Sequence, residues 1–230
     1  MRIDVWSDVV CPWCWIGKRR LERALELLGA DAPPVELRWH PFLLDPDAGT
    51  EPVPLREAYA RKFGGPERTA QMLASTQATA RAEGLPFDFD RGQVRVTTLP
   101  AHRLLWLAAR EADAGRVGEA LFHAHFAEGR NLADPEVLVG AGVAGGLPEA
   151  RVRALLAGDE GEAEVRAAVA QAQSMGIRSV PTFVIEGRYV VQGAQSPELF
   201  AQALRRAAAA AVVPAAGSDD EACGPDGCRV

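Results

Sequence analysis

Two cysteines separated by two residues, Cys11-Pro12-Trp13-Cys14, lie ten residues into the chain. Thiols at this spacing can close a disulfide or form half of a zinc site. An apolar, strand-like run precedes them and a helix-like run follows. That setting favours redox chemistry, because a helix N-terminus carries roughly half a positive charge and so favours a thiolate on the first cysteine. Pro12 takes the first helical position, where its missing N–H costs nothing and its φ is already helical. Trp13 and Trp15 are candidates for an apolar wall beside the thiols, with Trp15 equally suited to the core. Asp8, three residues before Cys11, either modulates that thiol and relays its proton or is a surface turn residue.

The four cysteines form two close pairs, and the second, Cys223 and Cys228, brackets Gly224-Pro225-Asp226-Gly227. Pro and Gly at these positions suit a type I turn, which can bring the flanking residues within the roughly 4.4–6.8 Å Cα separation of a disulfide. Ala215 to Glu221 is small and acidic, the composition of a flexible linker. About eleven such residues have an r.m.s. reach near 18 Å. A second redox centre that exchanges electrons with Cys11 therefore requires the last helix to end on the active-site side. The alternative is a tail with incidental thiols. His123 and His125 are two apart and would face different sides of a helix, a poor metal arrangement. His40 follows a strand and reads as structural. No metal site is expected, and the chain carries no glycine-rich phosphate loop.

A chain of 230 residues with 48% hydrophobic residues can bury a substantial core. Its net charge of −6 gives no support for nucleic-acid binding. No apolar run approaches the ~20 residues of a membrane helix. Met1 leads directly into a strand-like run without an export signal, and the sparse, paired cysteines suit a reducing compartment. The expectation is a cytoplasmic protein without membrane or nucleic-acid partners.

The elements that position the first cysteine pair follow from periodicity. Ile3–Trp6 and Val35–Trp39 alternate as strands, and between them Ile16, Leu21, Ala24, Leu25 and Leu28 mark an amphipathic helix that stops at Gly29. Helices are then predicted over Leu55–Phe63, Pro66–Glu83, Leu99–Ala114, Arg116–Ala127, Pro135–Ala144, Pro148–Ala157 and Glu160–Met175. Strand character returns at Thr182–Ile185 and Tyr189–Val191, joined tightly through Glu186-Gly187-Arg188. A last helix starts at Pro197 and runs to about Ala211.

This order resembles a thioredoxin fold with a helical insertion, on the strength of Cys11-Pro12-Trp13-Cys14 and of Val180-Pro181-Thr182 just before the hairpin. The resemblance implies an α/β fold with a large all-α insertion between the second strand and a cis-proline hairpin, plus a flexible C-terminal tail. It implies residues 1–41 and 160–211 as a discontinuous thioredoxin-like domain, 42–159 as the helical domain and 212–230 as the tail. It also implies that Pro181 is cis and faces the cysteines, and that Val180 pairs with an extended substrate segment. More narrowly, the chain resembles the DsbA-like family, in particular its FrnE-like branch. The stretches Trp39-His40-Pro41-Phe42-Leu43-Leu44-Asp45-Pro46, Ala101-His102-Arg103-Leu104, and Leu121-Phe122 to Phe126-Ala127-Glu128-Gly129 carry this likeness. His102 then lines the substrate groove or, on general grounds, makes a local hydrogen bond at a helix start.

Two departures sharpen the expectation. DsbA has His where this chain has Trp13, so a strongly oxidising potential is not implied. Related hydroxychromene-carboxylate isomerases and kappa glutathione transferases have Ser where this chain has Cys11, which favours disulfide chemistry here. The expected activity is that of a thiol–disulfide oxidoreductase or disulfide isomerase. Cys11, the more exposed thiol, attacks or is attacked, and Cys14 resolves the mixed disulfide. Expected partners are proteins with thiols or disulfides and cellular thiol reductants, glutathione among them, with a homodimer plausible for the family. No bound cofactor is expected beyond the redox-active disulfide itself. Two alternatives remain open: a glutathione-dependent isomerase or transferase on a small aromatic substrate, and a zinc-binding interaction protein using both cysteine pairs.

Overall fold

The computed structural model describes residues 1–212; the expected tail and its Cys223 and Cys228 lie outside the described residues. The chain opens with β1 (Arg2–Ser7), α1 (Pro12–Leu28) and β2 (Glu36–Pro41). Strand β1 pairs in parallel with β2, from Arg2 opposite Glu36 to Ser7 opposite Pro41. Helix α1 connects the two strands, as parallel neighbours require. It starts with Pro12 at its first turn and stops at Gly29, whose φ of 53° breaks the helix.

Two residue pairs, β3 (Val53–Pro54) and β4 (Val94–Arg95), form a small separate ladder. Between and after them come α2 (Leu55–Phe63), α3 (Pro66–Ala82), α4 (Leu99–Glu111), α5 (Ala114–Phe126), α6 (Pro135–Ala144), α7 (Glu149–Ala157) and α8 (Glu162–Ser174). The chain rejoins the sheet through β5 (Thr182–Ile185) and β6 (Tyr189–Gln192), and ends its described part with α9 (Pro197–Val212). Sheet order is β2-β1-β5-β6, with β5 antiparallel to β1 and β6 antiparallel to β5. Glu186 (φ 52°) and Gly187 (φ 66°) make the tight hairpin turn, two consecutive positive-φ residues of the kind that matches strand twist.

The mixed α/β architecture with a helical insertion agrees with the sequence reading. One helix boundary does not. The predicted Leu99–Ala114 and Arg116–Ala127 helices break three residues earlier than Gly115 suggests. Asp113 caps α5 by accepting from the Arg116 N–H at 3.0 Å, so the chain turns at Ala112 and Gly115 sits inside α5. The β3–β4 ladder is too short for any periodicity to reveal it.

Three apolar clusters fill the interior. One joins Ile3, Val5, Phe183, Phe200 and Leu204 with Leu21, Ala24 and Leu28 of α1. A second lies among α4, α5, α6 and α7. The third contains Cys11, Cys14, Trp15 and Ile16 of α1 against Leu55, Leu73, Phe87, Phe122 and Phe126. Helix α1 therefore belongs to two cores at once.

Candidate active site

Cys11 is the N-cap of α1, and its carbonyl accepts from the Cys14 N–H at 3.0 Å. The Cys11 N–H in turn donates to the Asp8 carbonyl at 3.0 Å. This places Cys11 Sγ at the end of the helix where unpaired amides favour negative charge. Both cysteines are free thiols. The Cys11 thiol donates to the Val180 carbonyl at 3.7 Å, a partner 169 residues away in sequence. Val180–Pro181 is a cis peptide bond. Gly17 of α1 makes this approach feasible, because a Cβ there would lie 3.1 Å from the Pro181 ring.

The sequence reading expected Cys11 to be the more exposed thiol. It is, by a small margin: Cys11 is 4% exposed and Cys14 1%. What separates them is their surroundings. Burial pushes the Cys14 thiol well above its ordinary range, and hydrogen bonding and charge from Cys11 add to this. The Ser7 hydroxyl and Asp8 amide, which face its sulfur, oppose the rise only weakly. Burial thus favours the protonated form of Cys14.

Asp8 is not a surface turn residue. It is 1% exposed, with Oδ2 accepting from the Leu44 N–H at 2.9 Å and Oδ1 lying 3.3 Å from His102 Nε2. His102, at the start of α4, is itself buried, so it faces Asp8 behind the cysteines and not the open groove. The neighbouring Arg103 turns the other way. It donates to the carbonyls of Leu155, Gly158 and Glu160 and so caps the C-terminus of α7. His40 bonds Asp4 at 2.8 Å and stacks on Trp6, a structural role. His123 and His125 do face different sides of α5, one exposed and one buried.

Tyr59 of α2 is the residue that the sequence analysis did not single out. Its phenol is pushed up by burial and by the nearby Cys11 and Asp8, so it stays protonated beside the site. No motif marks it, because α2 reaches the cysteines only through the packing of the insertion.

Trp13 is 41% exposed and forms one wall of an open groove of about 640 Å³. Val180 and Pro181 form its floor, and Val190, Gln192 and Leu199 its far side. Val190 lies on the edge strand β6 and is 65% exposed. Pro12 is half-buried at the helix start. Trp15 belongs to the core: it stacks on Phe87, Phe122 and Phe126 at centroid distances of 5.2, 5.9 and 6.1 Å, and its indole donates to Glu119 at 2.9 Å.

Leu199 of α9 lines the same groove as Trp13 of α1, so both helices start at the site and run away from it. Sixteen residues of α9 span about 24 Å at 1.5 Å each. Helix α9 thus begins at the site, and Cys223 and Cys228 lie beyond it, outside the described residues. Among the described residues, no three His, Cys, Asp or Glu side chains converge as a metal set.

A parallel β-α-β opening, a dithiol at the first turn of its helix and a cis-proline loop beside it define the thioredoxin-fold class. Within that class, the chain belongs to the DSBA-like thioredoxin domain family, which matches residues 2–205. A probable DsbA oxidoreductase, SCO1869 from Streptomyces coelicolor, superposes with a TM-score of 0.86 at 37% identity, covering 100% of this chain and 99% of that one. The uncharacterized protein YwbO of Bacillus subtilis (strain 168) is 28% identical over 205 residues, 89% of this chain and 96% of the relative. The cytosolic disulfide reductase DsbM from Pseudomonas aeruginosa, in a structure with GSH, shares the fold with a TM-score of 0.56 at 23% identity, covering 92% of this chain and 98% of that one.

Proposed function

We propose that the chain is a cytoplasmic thiol–disulfide oxidoreductase of the FrnE-like branch, acting on protein disulfides through Cys11 and Cys14. The observation that carries this reading is the position of Cys11 Sγ. It sits at the N-terminus of α1, 3.7 Å from the Val180 carbonyl and beside a groove bordered by the edge strand β6. An extended peptide in that groove can align its backbone with Val180 and set its apolar side chains against Trp13, Val190 and Leu199.

In the reductive direction, the Cys11 thiolate attacks one sulfur of the substrate disulfide. The S–S bond breaks, a Cys11–substrate disulfide forms, and the other substrate sulfur leaves with the electron pair and takes up a proton. Cys14 then loses its proton and attacks Cys11 Sγ, releasing the second substrate thiol. The substrate has gained two electrons, and the two cysteines have lost them. The same steps reversed oxidise a substrate. We take glutathione as the thiol that resets the pair, two molecules being oxidised to its disulfide; the DsbM structure with GSH supports that choice.

Cys14→Ser removes the resolving thiol. It is expected to accumulate mixed disulfides with proteins of a cell extract, separable on non-reducing gels. Cys11→Ser is expected to trap nothing. An alkylatable Cys11 that captures no protein in the Cys14→Ser variant overturns the protein-substrate reading.

A further inference from the structure

The groove beside Trp13 serves the front of the site. A second opening lies elsewhere, a cavity of about 290 Å³ between β2 and helices α4, α5 and α8. It shares no lining residue with the groove, and disulfide exchange makes no use of it. Its wall is largely apolar and aromatic, with Val9, Trp39, Leu105, Trp106, Phe122 and Val165. The polar residues at depth are already engaged. His40 bonds Asp4 at 2.8 Å, His102 lies 3.3 Å from Asp8, and the Ser7 hydroxyl faces the Cys14 sulfur.

The rim differs from the depth. Arg110 of α4 and Glu164 of α8 both line the cavity and are exposed. Their neighbours Glu111 and Glu162 are paired with Arg151 and Arg166, whereas among the described residues neither Arg110 nor Glu164 has an ion-pair partner. Arg110 is nevertheless held in place. Its guanidinium stacks on the Trp106 ring at 4.0 Å and donates to the Trp106 carbonyl at 3.0 Å. A guanidinium has five N–H donors, so most of the fork stays open to an anion. Trp106 is fixed in turn, because the chain at Gly161 lies so close that a Cβ there would meet the ring at 2.7 Å. The pocket is therefore built in advance, with one cation and one anion at its mouth on two different helices. Such preorganisation lowers the cost of binding.

We propose that this cavity binds a free aromatic α-amino acid, its ring among Trp39, Trp106 and Phe122, its carboxylate on Arg110 and its ammonium on Glu164. Size and charge together select this class. A dry cavity of about 150 Å³ holds one benzene ring, so the space here admits a ring system as large as indole. A neutral ring leaves both rim charges unused. An aromatic acid pairs with Arg110 but brings its carboxylate near Glu164, and an aromatic amine pairs with Glu164 but meets Arg110. A zwitterion answers both. Ser7 stands between the cavity and Cys14, so the bound amino acid sits behind the dithiol and leaves the peptide groove open.

The test is calorimetric titration of the reduced full chain with L-tryptophan, beside three analogues. Indole-3-propionate lacks the ammonium, tryptamine lacks the carboxylate, and indole lacks both. Tryptophan is expected to bind, and loss of either charged group to weaken binding about 10-fold, the low end for hydrogen bonds to charged groups. Arg110→Gln should weaken tryptophan to the same degree and leave tryptamine no weaker. Glu164→Gln should weaken tryptophan and leave indole-3-propionate no weaker. Gly118→Leu should abolish binding of all four, because its side chain enters open space in the wall, where an added Cβ meets Leu105 Cδ2 at an ordinary 3.7 Å. No binding of tryptophan up to its solubility overturns the proposal. Indole-3-propionate or indole binding as tightly as tryptophan also overturns it, and so does tryptophan binding unaltered by Gly118→Leu. Should Gly118→Leu fail to fold, the analogues and the two rim variants decide, since they change exposed charges and no packing. Thiopyridone release from dithiodipyridine reports the dithiol separately, so a silent titration with release intact overturns the cavity site and leaves the disulfide-exchange reading standing.

Discussion

Cys11 and Cys14 share one turn of helix, and their surroundings diverge because of neighbours that the sequence places far away. The pair itself, and Pro181 opposite it, are legible in the chain, since short spacing and an X–Pro bond are local signals. The Asp8–His102 contact is not legible, because its partners are 94 residues apart and each alone has an ordinary turn or helix-start explanation. His125 offers a separate test at this scale. Burial lowers it to about 4, so the folded state holds it neutral while the unfolded chain protonates it near its ordinary value of 6.5. Its contribution is fully present above that value and is lost as pH falls toward 4. The 2.5-unit difference corresponds to about 3 kcal/mol. His125→Gln is expected to flatten the acid limb of denaturant-derived stability by that order, with little change at alkaline pH.

At the scale of elements, Gly17 and Arg103 set distances between parts. Gly17 lets α1 lie against Pro181 and Phe183, where an added Cβ would come within 3.1–3.2 Å of both rings. Gly17→Val is expected to lower stability by about 1–3 kcal/mol through overpacking, and to slow thiopyridone release by moving Pro181 away from Cys11. Arg103 spans three carbonyls at the α7–α8 connection with a planar fork that lysine cannot copy. Arg103→Lys is expected to cost about 2–3 kcal/mol, read from chemical denaturation, because buried acceptors lose charge-assisted bonds. The helices were legible from their periodicity. The α4–α5 break was misplaced because a capping Asp113 outweighs the more conspicuous Gly115.

At the scale of the whole molecule, α1 joins the sheet core to the insertion. Leu21, Ala24 and Leu28 face the sheet, whereas Cys14, Trp15 and Ile16 enter the cluster with Phe87, Phe122 and Phe126. Trp15→Ala is expected to cost about 3–5 kcal/mol, as large aromatic truncations do, and to lower the cooperativity of unfolding seen by calorimetry. The overall order of strands and helices could be read in advance because each element announces its own period. Which insertion helix would reach the cysteines could not, since that depends on how aromatic side chains from α5 and the loop before β4 stack around Trp15.

The aromatic stack has an optical consequence. Cys14 stands between two indoles in different media, Trp13 partly in water and Trp15 sealed among phenyl rings with its N–H on Glu119. Their fluorescence should therefore separate by colour, with red-shifted emission from the groove and blue-shifted emission from the interior. A peptide settling on Trp13 alters the first, and electron loss at Cys14 quenches the second. Because Trp6, Trp39 and Trp106 also emit, the two channels are isolated by difference against Trp13→Phe and Trp15→Phe, after which they time events in the groove and at the sulfurs separately.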